Sequence, residues 1–360
     1  MIPKPLQAQI QAQLERLIEQ GGASGFQLAL GYRDQSLGHF EAGVSDQQTS
    51  RRVVDDTWFD LASLTKIIST VTLTMVAHQK RLLPEGLDSP MRIFFPSFAS
   101  ALKERTVADL LNHRAGLPAV VDEPFSHESR LERVRAFLDH IDRSYQNVSC
   151  DYSDVGFMLL GILLEQLFER PLRRAFQETW GVETGLDFGP LKEPLGVLQF
   201  LGARRVAHQL KLNSQEFLTP GVSQDPRAQW LEGEAGHAGL WGTARGVDLW
   251  ARRIYQAYHG KDVLLSDRIV REFVCFDRPL GRWMNGFDTP TAPSQSGQRF
   301  PATTVGHLGF TGTSVWMDVE TGARITLLCH RFDEGIRPER LRELRPRFHD
   351  WIWENVFSTL

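Results

Sequence analysis

Two side chains early in the sequence have the types and the spacing of a nucleophile and its base. Ser63-Leu-Thr-Lys66 opens a long apolar run, residues 67–77, that predicts a buried helix. A spacing of three puts both side chains on one face of the first helical turn. A serine hydroxyl needs an adjacent base before it attacks a carbonyl carbon. We therefore expect burial to lower the pKa of Lys66 and the helix N-terminus to favour negative charge at Ser63.

The serine–lysine spacing alone is weak evidence, because the sequence contains it twice. Ser100-Ala-Leu-Lys103 has the same spacing but precedes the polar residues Glu-Arg-Thr, which indicates a solvated short helix. We assign no chemistry to that second copy. The alternative for the first copy is that Ser63 caps a helix while Lys66 extends to solvent.

A tyrosine in the middle of the chain is the candidate proton shuttle. Tyr152-Ser-Asp154 precedes an apolar helix predicted at residues 155–170. A phenol at the mouth of a buried helix can face a cleft, and we expect a neighbouring lysine cation to lower its pKa. The alternatives are a packed aromatic ring for Tyr152 and a simple helix N-cap for Asp154.

Glycines in a late strand suit the close approach of a substrate backbone. Gly306-His307-Leu308-Gly309-Phe310 begins this strand, and the Phe310 N–H could face the cleft. Together with the N–H of Ser63 it would form a two-donor oxyanion hole. The pattern recurs at residues 236–239, which lead into a helix, so we prefer the strand copy. The alternative for each histidine is a structural role.

Segments at both ends of the chain must position these groups. The predicted fold class is α/β (α+β): one antiparallel sheet built from both chain ends, flanked by terminal helices, with an inserted helical lobe. We expect a single catalytic unit in which residues 1–83 and 236–360 form the α/β lobe and residues 84–235 the mainly helical lobe. The supporting patterns are helices at 6–18 and 337–357 and strands at 26–32, 37–44, 305–319 and 323–331.

Composition excludes several classes of protein. The 360 residues carry 40 basic and 44 acidic side chains, without the basic excess of a nucleic-acid binder. No stretch is long and apolar enough to span a membrane, and the N-terminus lacks the apolar core of a secretory signal. Three cysteines fit a reducing compartment. We therefore expect a cytoplasmic protein, with a clipped, exported precursor as the alternative. No metal or organic cofactor is implied.

The three elements, in this order, resemble the serine β-lactamase and penicillin-binding-protein superfamily. The Tyr-x-Asn/Asp form is similar to class C β-lactamases, D,D-peptidases and family VIII carboxylesterases. The flanking sequence is also similar from about residue 25 to 332. The matching segments are LLNHRAGLP at 110–118, YSDVGFMLLG at 152–161, GHAGLWGTA at 236–244 and GHLGFTGT at 306–313.

The resemblance implies a role for each residue. Ser63 would form an acyl-enzyme, Lys66 and Tyr152 would share the acid–base work, and the N–H groups of Ser63 and Phe310 would hold the oxyanion. Which of Lys66 and Tyr152 takes the first proton stays open. Asp154 stands where most β-lactamases have Asn, and its charge would favour the ammonium form of Lys66.

A second departure from the β-lactamases concerns the substrate. His307, beside Gly309, replaces the strand lysine that pairs with a β-lactam carboxylate, and histidine is mostly neutral at pH 7. We therefore expect a serine hydrolase of esters or small amides. One alternative is a D-amino-acid-specific peptidase, similar to a D,D-carboxypeptidase and acting on a small peptide, or a weak β-lactamase. Another is a catalytically idle homologue that binds a ligand.

Overall fold

Strands from both ends of the chain lie side by side in one antiparallel sheet. The computed structural model describes residues 2–122, 129–190, 206–207, 218–276 and 281–360. Among these, eight strands form the main sheet in the order β3-β2-β1-β11-β10-β9-β8-β7, and β4-β6-β5 form a second, smaller sheet. The strands are β1 Gly25–Tyr32, β2 Gln35–Asp46, β3 Arg51–Arg52, β4 Phe59–Asp60, β5 Asp187–Phe188, β6 Leu240–Gly242, β7 Trp283–Met284, β8 Phe287–Asp288, β9 Thr304–Leu308, β10 Ser314–Asp318 and β11 Arg324–Cys329.

The pairing of β1 with β11 joins the two chain ends. Its register sets Phe26 opposite Cys329 and Leu28 opposite Leu327, all of them buried. Alternating apolar residues on both strands bury one face of the sheet, which specifies this register. The antiparallel sheet predicted from the two ends of the sequence is therefore confirmed.

Helices cover the sheet and fill the middle of the chain. Helices α1 and α11 pack on one face around buried Ile10, Leu14 and Phe348, and α9 packs on the other face against β1 and β11. The helices are α1 Lys4–Glu19, α2 with a π-helical part Lys66–Val71 and an α-helical part Thr72–Gln79, α3 Val107–Leu111, α4 Arg130–Arg143, α5 Asp154–Phe168, α6 Leu172–Phe176, α7 Val182–Thr184, α8 Pro226–Trp230, α9 Ala244–Tyr258, α10 Asp267–Phe273 and α11 Pro338–Asn355.

Helix α5 lies inside the protein because it is apolar on nearly every face. All ten residues from Val155 to Leu164 are buried, as expected for a helix without a polar stripe. The predicted lobe boundaries, at 83/84 and 235/236, remain a prediction, and part of the central segment lies outside the described residues.

One predicted strand is divided. Residues 305–319 form β9 and β10 rather than one strand, because Gly309 to Thr313 make a tight turn between them. The Gly309 N–H donates to the Thr313 carbonyl at 2.7 Å, and the Gly312 N–H donates to the Gly309 carbonyl at 3.0 Å. Gly312 has a positive φ of 106°, which glycine adopts without strain. This turn carries Phe310, so it matters for the site.

Candidate active site

Ser63 lies in the turn between β4 and α2, at a point where the backbone is strained. The preceding residue, Ala62, has a positive φ of 46°, and its N–H donates to Asp60 Oδ1 at 2.9 Å. Pairing of β4 with β6 fixes the strand that leads into this turn. Strain of this kind persists only where surrounding contacts enforce it, and it often marks a functional position.

Lys66 is fully buried, and besides the Tyr152 phenol its ammonium contacts three groups. Its Nζ lies 3.1 Å from Ser63 Oγ, 2.7 Å from Asp154 Oδ1 and 3.2 Å from the His237 carbonyl oxygen. Burial works to lower the pKa of Lys66, but the charge of Asp154 and the phenol of Tyr152 outweigh it and raise the pKa above its ordinary value. The expectation that burial would lower this pKa was wrong, while the expected effect of Asp154 is present.

Tyr152 lies against the same group of atoms. Its phenol interacts with both Ser63 and Lys66, and the Lys66 ammonium lies 4.8 Å from the centre of its ring. Burial raises the pKa of Tyr152, and Asp154 adds to this, so the nearby cation does not bring the pKa below its ordinary value. The expected lowering of this pKa was therefore also wrong.

The N-terminus of α5 holds Tyr152 and Asp154 in place. The N-cap is Ser153 rather than Asp154: its Oγ accepts from the Gly156 N–H at 3.2 Å, and Asp154 is the first helical residue. Burial raises the pKa of the Asp154 carboxyl, but Lys66 and then His237 lower it overall, so the residue is ionised. The alternative of a simple cap is therefore wrong for Asp154, whose side chain instead pairs with Lys66.

Phe310 lies in the turn between β9 and β10, at the wall of the cavity. Phe310 and Ser63 both line the cavity. Within the described part of the chain, neither amide N–H donates to a protein acceptor. Two unpaired backbone donors in a cleft are the chemical requirement for stabilising an oxyanion. The Arg331 Nε–H donates to the Phe310 carbonyl at 2.8 Å and fixes the turn that carries this amide.

His307 is buried beside Tyr152. Its Nδ1 lies 2.8 Å from the Leu308 carbonyl oxygen, and its ring centre lies 5.9 Å from that of Tyr152. Burial and the Lys66 cation lower its pKa well below the ordinary value. The residue is thus neutral at pH 7, as expected, and offers no charge to an anionic substrate.

A cavity of about 580 Å³ joins these groups. Its size suits a small molecule rather than a large polymer. It contains each site residue predicted from the sequence except Lys66, which lies buried behind Ser63. The lining residues that the argument uses are Ser63, Tyr152, Asp154, His307, Gly309 and Phe310.

Comparison with known proteins identifies the family. A family model described as Beta-lactamase matches residues 10–346. The chain belongs to the beta-lactamase family. The expected enzyme class, a serine hydrolase that works through an acyl-enzyme, is thereby confirmed, as is the predicted fold.

Relatives of this beta-lactamase family member have varied names. A protein of Escherichia coli (strain K12), provisionally named as a D-alanyl-D-alanine carboxypeptidase, is 26% identical over 343 residues, which cover 84% of this chain and 77% of that protein. The structure of EstCE1, a hydrolase with promiscuous acyltransferase activity, gives a TM-score of 0.71 at 18% identity and covers 95% and 98% of the two chains. The structure of D-amino acid amidase from Ochrobactrum anthropi SV3, complexed with L-phenylalanine amide, gives a TM-score of 0.68 at 19% identity. The match covers 99% of this chain and 99% of that chain.

The second Gly-His-x-Gly segment also belongs to the site of this family member. The His237 carbonyl accepts from Lys66, and Ala238 lines the cavity. The His237 Nε2 lies 3.2 Å from Asp225 Oδ1. The sequence-based preference for the strand copy at 306–309 therefore missed the contribution that the copy at 236–239 makes to the site. The signal was present in the sequence, because both copies stood among the matching segments.

An aromatic group behind Tyr152 was not found from the sequence. The His113 ring centre lies 4.6 Å from that of Tyr152 and 4.6 Å from that of Trp283. His113 Nδ1 accepts from the Ser153 N–H at 2.9 Å, and burial followed by Lys66 lowers the His113 pKa to about 3. The LLNHRAGLP segment contained His113, but nothing in its pattern assigned it to Tyr152.

The described residues contain neither a cluster of metal ligands nor a helix that could cross a membrane. In the described ranges, no three histidine, cysteine or acidic side chains gather as metal ligands. The helices of those same ranges include none with the length and apolar character that a bilayer crossing requires.

Proposed function

We propose that this protein hydrolyses esters or small amides through an acyl-enzyme on Ser63. The observation that carries the proposal is the contact of 3.1 Å between Lys66 Nζ and Ser63 Oγ, at the edge of a cavity of small-molecule size. Nucleophilic serine catalysis requires such a base within hydrogen-bond reach.

The first step adds Ser63 Oγ to the substrate carbonyl carbon. The hydroxyl proton passes to the Lys66–Tyr152 pair, and the carbonyl electron pair moves onto oxygen. Because Asp154 and Tyr152 raise the pKa of Lys66 and burial raises the pKa of Tyr152, the pair holds its protons in the resting enzyme. We therefore assign the base function to the coupled pair after loss of one proton rather than to either residue alone.

The backbone N–H groups of Ser63 and Phe310 stabilise the oxyanion. When the tetrahedral adduct collapses, the pair returns the proton to the leaving alcohol or amine. Water then adds to the carbonyl carbon of the acyl-enzyme with the same help from the Lys66–Tyr152 pair. Collapse of this second adduct releases the acid and regenerates Ser63. Loss of an oxyanion donor typically costs roughly 100-fold to 1000-fold in kcat, so the hole contributes a large part of the rate.

Hydrolysis of a short-chain 4-nitrophenyl ester tests the proposal. We expect Ser63→Ala to lower kcat/KM by at least about 100-fold. The matched control is Ser100→Ala, in the second serine–lysine segment, where the Ser100 Oγ accepts from the Leu102 N–H at 3.2 Å and contacts the Asp142 carboxylate. That variant should keep wild-type turnover. Equal turnover by Ser63→Ala and wild type would overturn the proposal.

The second candidate is a hydrolase of D-amino acid amides or peptides. The names of a relative and of a structural neighbour favour it, since one is provisionally a D-alanyl-D-alanine carboxypeptidase and the other is a D-amino acid amidase. Neutral His307 argues against efficient β-lactam turnover. Paired D- and L-alanine amides, a D-Ala-D-Ala peptide and a chromogenic cephalosporin, compared with the ester, separate the candidates. Faster turnover of the D-amide or D-peptide would select this one.

A further inference from the structure

The two oxyanion donors belong to different sheets. Ser63 follows β4, which pairs with β6 in the smaller sheet, while Phe310 follows β9 of the main sheet. In the part of the chain that the structure describes, no strand pairing and no backbone hydrogen bond joins residues 60–63 to the turn at residues 309–313. Other contacts must therefore set the distance between the two amide N–H groups.

Two buried threonine hydroxyls connect these segments. Thr311 Oγ1 donates to the Asp60 carbonyl at 2.7 Å, and Thr313 Oγ1 donates to the Leu61 carbonyl at 3.2 Å. The threonine side chains are 1% and 0% exposed. Because water does not reach these hydroxyls, they depend on the two carbonyl groups for their hydrogen bonds. We call Thr311 and Thr313 the threonine clasp.

The clasp holds two backbones that lie very close together. A Cβ at Gly309 would lie 2.8 Å from the Leu61 carbonyl oxygen, so this position has no room for a side chain. Asp60, whose carbonyl accepts from Thr311, also accepts from the Ala62 N–H through its carboxylate at 2.9 Å. The clasp thus attaches to the residue that shapes the strained turn before Ser63.

We propose that Thr311 and Thr313 position the Ser63 and Phe310 N–H groups for the oxyanion. Thr311 is adjacent to Phe310, and Leu61 lies two residues before Ser63, so each hydrogen bond acts close to a donor. Such donors stabilise the developing charge only when they are already held about 2.7–3.1 Å from it. A displacement of about 1 Å can cost roughly 100-fold in rate. This inference rests on the proposed function.

A purely structural role for the clasp is the competing explanation. Loss of a buried hydrogen bond would then lower stability, or the amount of active enzyme, equally for every substrate. Thr311→Val removes the hydroxyl while it keeps a side chain of similar shape. Thr326→Val is the matched control, because Thr326 is equally buried in β11 and its hydroxyl has no partner among the described residues.

The experiment compares 4-nitrophenyl acetate with its thiono analogue, in which sulfur replaces the carbonyl oxygen. Sulfur is a weak hydrogen-bond acceptor, so the two N–H groups assist the oxygen ester more than the thiono ester. We expect Thr311→Val to lower kcat/KM about tenfold for the oxygen ester and less than twofold for the thiono ester. Thr313→Val should act in the same direction. Thr311→Ser keeps the hydroxyl and should keep the wild-type ratio of the two rates, and Thr326→Val should change neither rate.

Melting curves establish that each variant is folded, and Thr313→Val supplies an independent test if Thr311→Val does not fold. Equal losses on the two esters, no loss in either clasp valine variant, or a loss that Thr311→Ser shares would overturn the inference. The Ser63→Ala variant on both esters keeps the two proposals separate. If its turnover is lost while the clasp valine variants leave the ratio of the two rates unchanged, the hydrolase function stands and only the positioning role fails.

Discussion

The Lys66 ammonium lies closer to the Asp154 carboxylate, at 2.7 Å, than to the Ser63 hydroxyl, at 3.1 Å. The ion pair is almost completely enclosed, since the Lys66 side chain has no exposed surface and Asp154 keeps 15%. Opposite charge at this distance stabilises the protonated lysine. The resting enzyme therefore stores its base in the acid form, and catalysis requires the loss of a proton.

Replacement of the Asp154 charge should move the pH profile of the enzyme. In Asp154→Asn the ammonium loses its anionic partner while burial stays, so the Lys66 pKa falls. The rising limb of kcat/KM against pH then shifts to lower pH, by about one unit or more, and turnover at pH 6 rises relative to the plateau. A pH series from 5 to 10 on a neutral 4-nitrophenyl ester measures this.

Asp288→Asn serves as the control for that experiment. Asp288 lines the same cavity but pairs with Arg282 rather than with Lys66. The Asp288→Asn variant should leave the rising limb of kcat/KM at the same pH as in wild type. A limb that is unmoved in Asp154→Asn, or moved to higher pH, would contradict the role assigned to the Lys66–Asp154 pair.

His113 should act on kcat through the position of Tyr152. His113→Phe keeps an aromatic ring against Tyr152 but removes the acceptor for the Ser153 N–H. An unpaired buried donor costs about 1–3 kcal/mol, so the melting temperature falls. We expect kcat to fall while KM for the ester stays within twofold. His113→Asn, which retains an acceptor, should recover part of kcat. A change in KM alone would contradict this account.

The buried pair of Arg324 and Asp248 should dominate the stability of the sheet. Arg324 in β11 donates from Nε to Asp248 at 2.7 Å, and its other N–H groups reach carbonyls of the β1–β2 turn, including that of Arg33. Arg324→Met leaves the Asp248 charge buried alone, at a cost of about 3–5 kcal/mol. Chemical denaturation measures this loss. Arg324→Met combined with Asp248→Leu should recover part of it, and a single variant as stable as wild type would contradict the prediction.

Acid should destabilise the fold through buried neutral histidines. Burial, with Arg345 nearby, lowers the pKa of His349 to about 3 in the folded chain, against an ordinary value of 6.5. Between these values the unfolded chain binds a proton that the folded chain does not, so stability rises with pH and falls on acidification. One such group contributes at most about 1.4 kcal/mol per pH unit.

The slope of stability against pH isolates this contribution. His349→Gln cannot bind the proton, so the free energy of unfolding should depend less steeply on pH between 6.5 and 4 than in wild type. Denaturation curves at pH 7, 6, 5 and 4 measure both slopes. Identical slopes would show that His349 does not titrate as its burial indicates.

Much of the site could be predicted from the spacing of residues that are close together in the sequence. Ser63 and Lys66 are three residues apart, so a helical turn was enough to predict their contact. The apolar pattern of α5 likewise predicted a buried helix with Tyr152 at its start. These features depend on neighbouring residues in the sequence.

Charges contributed by distant segments explain why the pKa directions were wrong. Asp154 is 88 residues from Lys66, and together with Tyr152 it outweighs the effect of burial on the Lys66 pKa because these side chains touch the ammonium. For Tyr152 the opposite holds, since burial exceeds the effect of the cation. Sequence supplies the residue types but not these distances. Arg331 was missed for the same reason. Its part in the site is the hydrogen bond that it donates to the Phe310 carbonyl, which joins two segments distant in sequence.

Mass spectrometry of the intact protein tests the central claim most directly. Wild-type enzyme treated with a fluorophosphonate should gain the mass of one phosphonyl group, and peptide mapping should place it on Ser63. Ser63→Ala should gain none, while Ser100→Ala should be labelled like wild type. An unlabelled wild-type protein, or a label that persists in Ser63→Ala, would contradict the assignment of Ser63 as the nucleophile.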